Sequence, residues 1–133
     1  MTFVLDTRLQ KDCHFMAETN CCQLLLLDNA LYHWFILVPK VTETELHDVN
    51  DSIQEEILKE TMSLSRFVKE SFNSDKINVA TIGNIVSQLH IHVVGRQFQD
   101  SVWPAVVWGA KPTRCYTDEE VKNLHQLMQA WAK

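Results

Sequence analysis

Apolar positions along the chain change period several times, and each change marks an element. Residues 21–28 and 32–38 are near-continuous apolar runs of strand length. Between them lies Asp28-Asn29-Ala30, and Asp and Asn favour tight turns, so the pair reads as a hairpin. Pro39 ends its second strand because proline cannot donate to a ladder. Thr42-x-x-Glu45 then has the form of a capping box. A stripe follows at spacings of three and four: Leu46, Val49, Ile53, Ile57, Leu58, Met62, Leu64, Phe67, Val68 and Phe72. That is the signature of one long amphipathic helix. Asn50-Asp51-Ser52 offers a second way to begin it, with a short turn before a main helix over 52–71.

Asn73-Ser74-Asp75 closes the helix, and Ile77, Val79 and Thr81 alternate as one face of a strand. Residues 86–94 form the next strand, and Gly95-Arg96 turns out of it. Residues 3–12 are a short helical or extended lead-in, and the aromatic, turn-rich segment 100–112 is an irregular arm. Thr117-x-x-Glu120 is a second capping box, opening a closing helix with Val121, Leu124, Leu127, Met128 and Trp131 on one side. The layout is α+β: an antiparallel sheet with one long helix and a C-terminal helix packed on it. Residues 1–133 read as a single domain, with a core over about 20–100 and an arm and helix over 100–133.

The formal charge is −5, and no run of five like charges occurs. This gives no electrostatic footing for nucleic acid or an anionic membrane, though a few local donors still suffice for a small phosphate ester. The four cysteines include no C-x-x-C pair, and no secretory signal or bilayer-length apolar run is present. A cytoplasmic protein with reduced thiols is the expectation.

The informative stretch is Gln88-Leu89-His90-Ile91-His92-Val93-Val94. On a strand, Gln88, His90 and His92 share one face while Leu89, Ile91 and Val93 point into the core. Buried polar groups without partners cost about 1–3 kcal/mol each, so three together suggest a ligand-facing surface. A neutral imidazole is a nucleophile towards phosphorus once an acceptor holds its other nitrogen. Two other readings exist: a pair of satisfied surface histidines, or an H-x-H metal pair lacking an obvious third ligand.

The stretch resembles the signature of the histidine-triad (HIT) family, His-φ-His-φ-His-φ-φ with φ apolar, followed here by Gly95-Arg96 and preceded by Gly83-Asn84. Gln88 replaces the first His. The upstream hairpin ending in Val38-Pro39-Lys40 is similar to the family's strand–turn–strand, and the Trp103-Pro104…Trp108-Gly109 arm resembles that of some bacterial members. The resemblance implies a nucleotide-phosphate hydrolase or transferase acting on a nucleoside phosphoramidate or dinucleoside polyphosphate, without metal or cofactor, and a homodimer. It places the nucleophile at His90, whose inner nitrogen would donate to a main-chain carbonyl such as that of Gln88. It places phosphate contacts at Gln88, His92 and Asn84, and ribose contacts at Asp28 or Asn29. Gln can donate and accept but cannot carry a proton charge. Gln88, and Ile85 where several members have Ser, therefore keep a second function open: nucleotide binding with little or no turnover. Arg96 has two readings, an ion pair or a phosphate contact. Trp103 and Trp108 have three: pocket wall, subunit contact or cover for an edge strand. Trp34 and Trp131 are expected in the core, and His14, His33, His47 and His125 in ordinary surface or core roles.

Overall fold

The computed structural model describes residues 2–133. Five strands form one antiparallel sheet: β1 (Cys13–Glu18), β2 (Cys22–Leu27), β3 (His33–Pro39), β4 (Lys76–Ala80) and β5 (Ile91–Arg96). Their order is β1-β2-β3-β5-β4. The helices are α1 (Thr7–Asp12), α2 (Asp51–Ser71) and α3 (Asp118–Ala132). The predicted α+β architecture is therefore present, with α2 connecting the β2–β3 hairpin to the β4–β5 pair.

Both faces of the sheet are covered. On one, Leu24, Leu26, Phe35, Leu37, Ile91 and Val93 pack under Ile57, Leu64 and Val68 of α2 and Met128 of α3. On the other, Leu25, Trp34, Ile36, Val38 and Val94 are closed over by Leu9 of α1 and Val107 of the arm. Burial on both sides explains why the hairpin reads as continuous apolar runs rather than as alternation.

Two expectations are corrected by the structure, and one strand had no counterpart in the sequence reading. The Thr42-x-x-Glu45 box does not start the long helix; a single 3₁₀ turn occupies Leu46–Asp48, and Asn50 caps α2 by accepting from the Ser52 N–H at 2.9 Å. The alternative start at Asn50-Asp51-Ser52 is the one used. The proposed strand over 86–94 pairs regularly only from Ile91, opposite Leu37. Before that point β4 has ended, at Ala80 opposite His92, and Pro39 deprives β3 of a donor, so residues 82–90 have no ladder to join. Finally, β1 was hidden in residues 13–18, where a bulge between Phe15 and Ala17 disrupts the period and leaves Met16 and Ala17 both buried.

Two tight contacts anchor β5. A Cβ on Gly95 would lie 2.5 Å from Ser74 Oγ and 2.9 Å from Val68 Cγ1, so α2 and β5 meet at glycine distance. Arg96, only 1% exposed, donates from Nε and Nη2 to both Asp100 oxygens at 2.8 and 3.1 Å and from Nη1 to Asn78 Oδ1 at 3.0 Å. Its guanidinium also lies 5.2 Å from the Trp103 ring centroid. Of its two readings the ion pair is the observed one, and it fastens the arm to the sheet.

Candidate active site

His92 lies on β5 beside Trp34 of β3, on the sheet face covered by α1 and the arm. His90 immediately precedes β5, and both rings are 7% exposed. Their centroids are 4.9 Å apart. His90 Nδ1 donates to the Gln88 carbonyl at 2.6 Å, since a carbonyl oxygen can only accept. That leaves the Nε2 lone pair of His90 uncommitted. His92 has the opposite arrangement: its Nδ1 accepts the indole N–H of Trp34 at 2.9 Å. An indole nitrogen only donates, so the neutral His92 ring carries its proton on Nε2. Burial, and then the neighbouring His90, push the His92 pKa from 6.5 down to about 4, which keeps this ring neutral near pH 7. One imidazole thus presents a lone pair and the other a proton.

A cleft of about 370 Å³ opens on the two rings, walled by Arg8 and Asp12 of α1, the 82–86 loop and Trp108. Asn84 is part of that wall, as is Ile85, whose side chain is well exposed. Gly83 turns the loop at a φ of +69°, in the left-handed region that favours glycine. Trp108 packs edge-on to His92 and to Trp34, so of its three readings it takes the pocket wall. Trp103 covers Arg96 instead.

A second cavity of about 500 Å³ shares Asp12 and Gly109 with this cleft and is bordered by Asp28, Asn29 and Trp34. Asp28 Oδ1 accepts the Tyr116 N–H at 2.9 Å and lies 3.1 Å from His14 Nε2. Burial alone would raise the Asp28 pKa, but the Tyr116 N–H and His14 outweigh it and hold the carboxyl below its ordinary range. Asn29 is buried and its Oδ1 accepts the N–H groups of Leu31 and Arg114. Both turn residues therefore fasten the segment leading into α3 while bordering the cavity.

Gln88 is where the structure departs most from the strand picture. Its side chain leaves the imidazoles and pairs with the N-terminal segment: Oε1 accepts the Asp6 N–H at 2.8 Å, and Nε2 donates to the Val4 carbonyl at 2.9 Å. Three wall residues, Arg8, Asp12 and Trp34, were not among the expected site residues. Nothing local marks them, because Trp34 reaches His92 across 58 positions and Arg8 reaches the cleft only through the folding back of α1.

Among the described residues, no cluster of three or more His, Cys, Asp or Glu is arranged to hold a metal. Nor is any described helix long and apolar enough to cross a membrane.

Residues 8–99 match the HIT domain family. A histidine triad protein of Marinobacter aquaeolei has a structure similar to this one at a TM-score of 0.95 and 36% identity, covering 99% of this chain and 97% of that one. A histidine triad protein of Bradyrhizobium japonicum is similar at a TM-score of 0.95 and 30% identity, covering 100% of both chains. By sequence the chain is similar to adenylylsulfatase HINT3 of Arabidopsis thaliana, 24% identical over 118 residues, a match covering 75% of this chain. The match spans 60% of that protein's length.

Proposed function

This chain belongs to the HIT domain family, and on that footing we propose that it is a nucleotidyl hydrolase or transferase whose covalent intermediate forms on His90. The family includes nucleotide hydrolases and transferases. The observation that carries the reading is the opposed protonation of the two rings: a free Nε2 lone pair on His90 beside an Nε2 proton on His92.

In this reading His90 Nε2 attacks the phosphorus of a nucleoside 5′-phosphoramidate or a dinucleoside polyphosphate. The bond from phosphorus to the leaving amine or phosphate breaks as the P–N bond to His90 forms, and a leaving amine takes up a proton from water. As His90 becomes bonded at Nε2, the ring acquires positive charge that the Gln88 carbonyl stabilises through Nδ1–H. His92 donates from Nε2 to a non-bridging oxygen, with Asn84 and the loop backbone as further donors. Water then attacks phosphorus, breaks the bond to His90 and releases the nucleoside monophosphate. The nucleoside extends into the cavity bordered by Asp28 and Asn29, and Asp28, exposed enough to be reached, is the better candidate for the ribose hydroxyls.

The reading needs no metal. A metal on His92 would require the Nε2 lone pair, and freeing it would sacrifice the hydrogen bond from Trp34. Nucleotide binding without turnover is the second reading, favoured by the well-exposed Ile85 in place of a hydroxyl residue. Single-turnover incubation with adenosine 5′-phosphoramidate, followed by intact mass and product release, separates the two. A nucleotidyl adduct or AMP that disappears in His90→Ala supports the enzyme; saturable binding with neither supports the binding protein.

The same reading includes a cytoplasmic location, in keeping with four free cysteines, and a homodimer. We place the dimer contact at the open edge of β4 and the adjoining face of α2, where Leu58, Met62 and Val79 are exposed beside a cleft of about 620 Å³. An edge strand with apolar neighbours is a surface that a second copy can cover on a two-fold axis.

A further inference from the structure

We infer that Arg8 is a phosphate-binding residue of this site, and that Gln88 is the latch that holds it there. The inference rests on the nucleotide-phosphate reading above and adds to it the cationic group that its neutral donors lack.

Arg8 and Asp12 are the charged residues among the described lining of the histidine cleft. His92 is held neutral, so it offers a phosphate one donor and no charge. Arg8 is the group able to offer charge. Its guanidinium carries five donors in a planar fork that matches two phosphate oxygens at once. The protein hardly consumes them: Nε lies 3.9 Å from Asp12 Oδ2, a loose and exposed pair, and the Arg8 side chain is 62% exposed. Arg96 differs in every respect, being buried and bonded through three of its nitrogens. Arg8 is free to meet a ligand, and Arg96 is not.

The position of Arg8 is set from two sides. Leu9, its neighbour, is buried against the sheet, and the Asp6 side chain caps α1 by accepting the Arg8 N–H at 2.8 Å. Asp6 is in turn one of the two residues gripped by Gln88. The primary amide suits this grip because its donor and acceptor lie side by side, as the N–H and C=O of an extended chain do. The two nitrogens of an imidazole point away from each other and cannot make the same pair. Gln88 therefore does two things from one position: its carbonyl orients His90, and its side chain secures the segment that carries Arg8. The substitution in the triad is matched by a cation arriving from elsewhere in the chain.

Calorimetric titration with AMP and with adenosine tests this, using wild type, Arg8→Gln, Arg8→Lys, Gln88→Ala and the Arg8→Gln/Gln88→Ala pair. Arg8 is exposed, so its variants should stay folded, and circular dichroism checks each protein. Arg8→Gln should weaken AMP at least tenfold and leave adenosine within twofold, with Arg8→Lys in between. Gln88→Ala should weaken AMP in the same phosphate-specific way, and adding Arg8→Gln to it should cost less than twofold more. That non-additivity is the mark of one residue acting through the other. If wild type prefers AMP to adenosine but Arg8→Gln keeps that preference, the assignment of Arg8 is overturned and the phosphate site stands. If the two losses add in full, the latch is overturned and the Arg8 contact stands. If wild type does not prefer AMP, the phosphate reading itself fails and takes this inference with it.

Discussion

The indole N–H of Trp34 meets His92 Nδ1 at 2.9 Å, and through that bond a residue of the central hairpin decides which nitrogen of a site histidine carries the proton. His90, 4.9 Å away by ring centroid, is set the other way by the Gln88 carbonyl. The two rings are alike chemically and differ in what the surrounding backbone and side chains leave free.

Removing the indole donor should blur that difference. Trp34→Phe keeps most of the packing but leaves a buried acceptor unpaired, which costs about 1–3 kcal/mol. The expected result is a fall in stability of that order in denaturant titration, with AMP bound about five- to tenfold more weakly. Unchanged AMP affinity would show that the tautomer of His92 does not matter to the phosphate.

The depressed pKa of His92 makes stability depend on pH. The unfolded ring titrates near 6.5 and the folded one near 4, so between these values the unfolded state binds more protons. Stability from this group is complete above about pH 6.5 and is lost as pH falls to about 4, amounting to about 3 kcal/mol. Asp28 and Asp100, both held below the ordinary carboxylate range, add losses of their own in acid. Denaturation curves for wild type and His92→Asn at several pH values isolate the histidine: the difference between them should shrink from pH 7 to pH 4. A constant difference would mean that His92 titrates normally.

The Arg96–Asp100 pair should behave as a buried unit. Arg96→Met strands the Asp100 carboxylate, and breaking such a pair costs about 3–5 kcal/mol. Adding Asp100→Asn to it should recover part of the loss, because the uncompensated charge is then gone. Thermal unfolding of both single variants and the double variant provides the comparison, and simple additivity would contradict the pairing.

The β4 edge predicts an assembly. Val79, 46% exposed on β4, should become a barrier to strand pairing when replaced by Lys, a residue that protects open edges. Light scattering should give twice the chain mass for the wild type and a shift towards the single-chain mass for Val79→Lys. A wild-type monomer at micromolar concentration would remove the proposed contact.

Elements whose signals are local were legible in the chain. The β2–β3 hairpin follows from two apolar runs around Asp28-Asn29, and the start of α3 from Thr117-x-x-Glu120, whose capping box forms with both reciprocal bonds. The same spacing at Thr42-x-x-Glu45 forms no cap at the start of α2, because Asn50 holds that position for a helix beginning at Asp51. A box is a local possibility; what flanks it determines whether it is used.

By itself the sequence determined the α+β layout and the placing of two histidines together, and the family resemblance implied the bond from His90 to a nearby main-chain carbonyl; each depends on residues a few positions apart. Only the tertiary structure decided what those histidines present to a ligand. The proton on His92 is set from β3, the cleft wall comes from α1 and the arm, and Gln88 grips a segment 82 to 84 positions earlier. Period and turn chemistry are properties of neighbours along the chain. Hydrogen-bond partnership and burial are properties of neighbours in space, and for this site those neighbours come from distant parts of the chain.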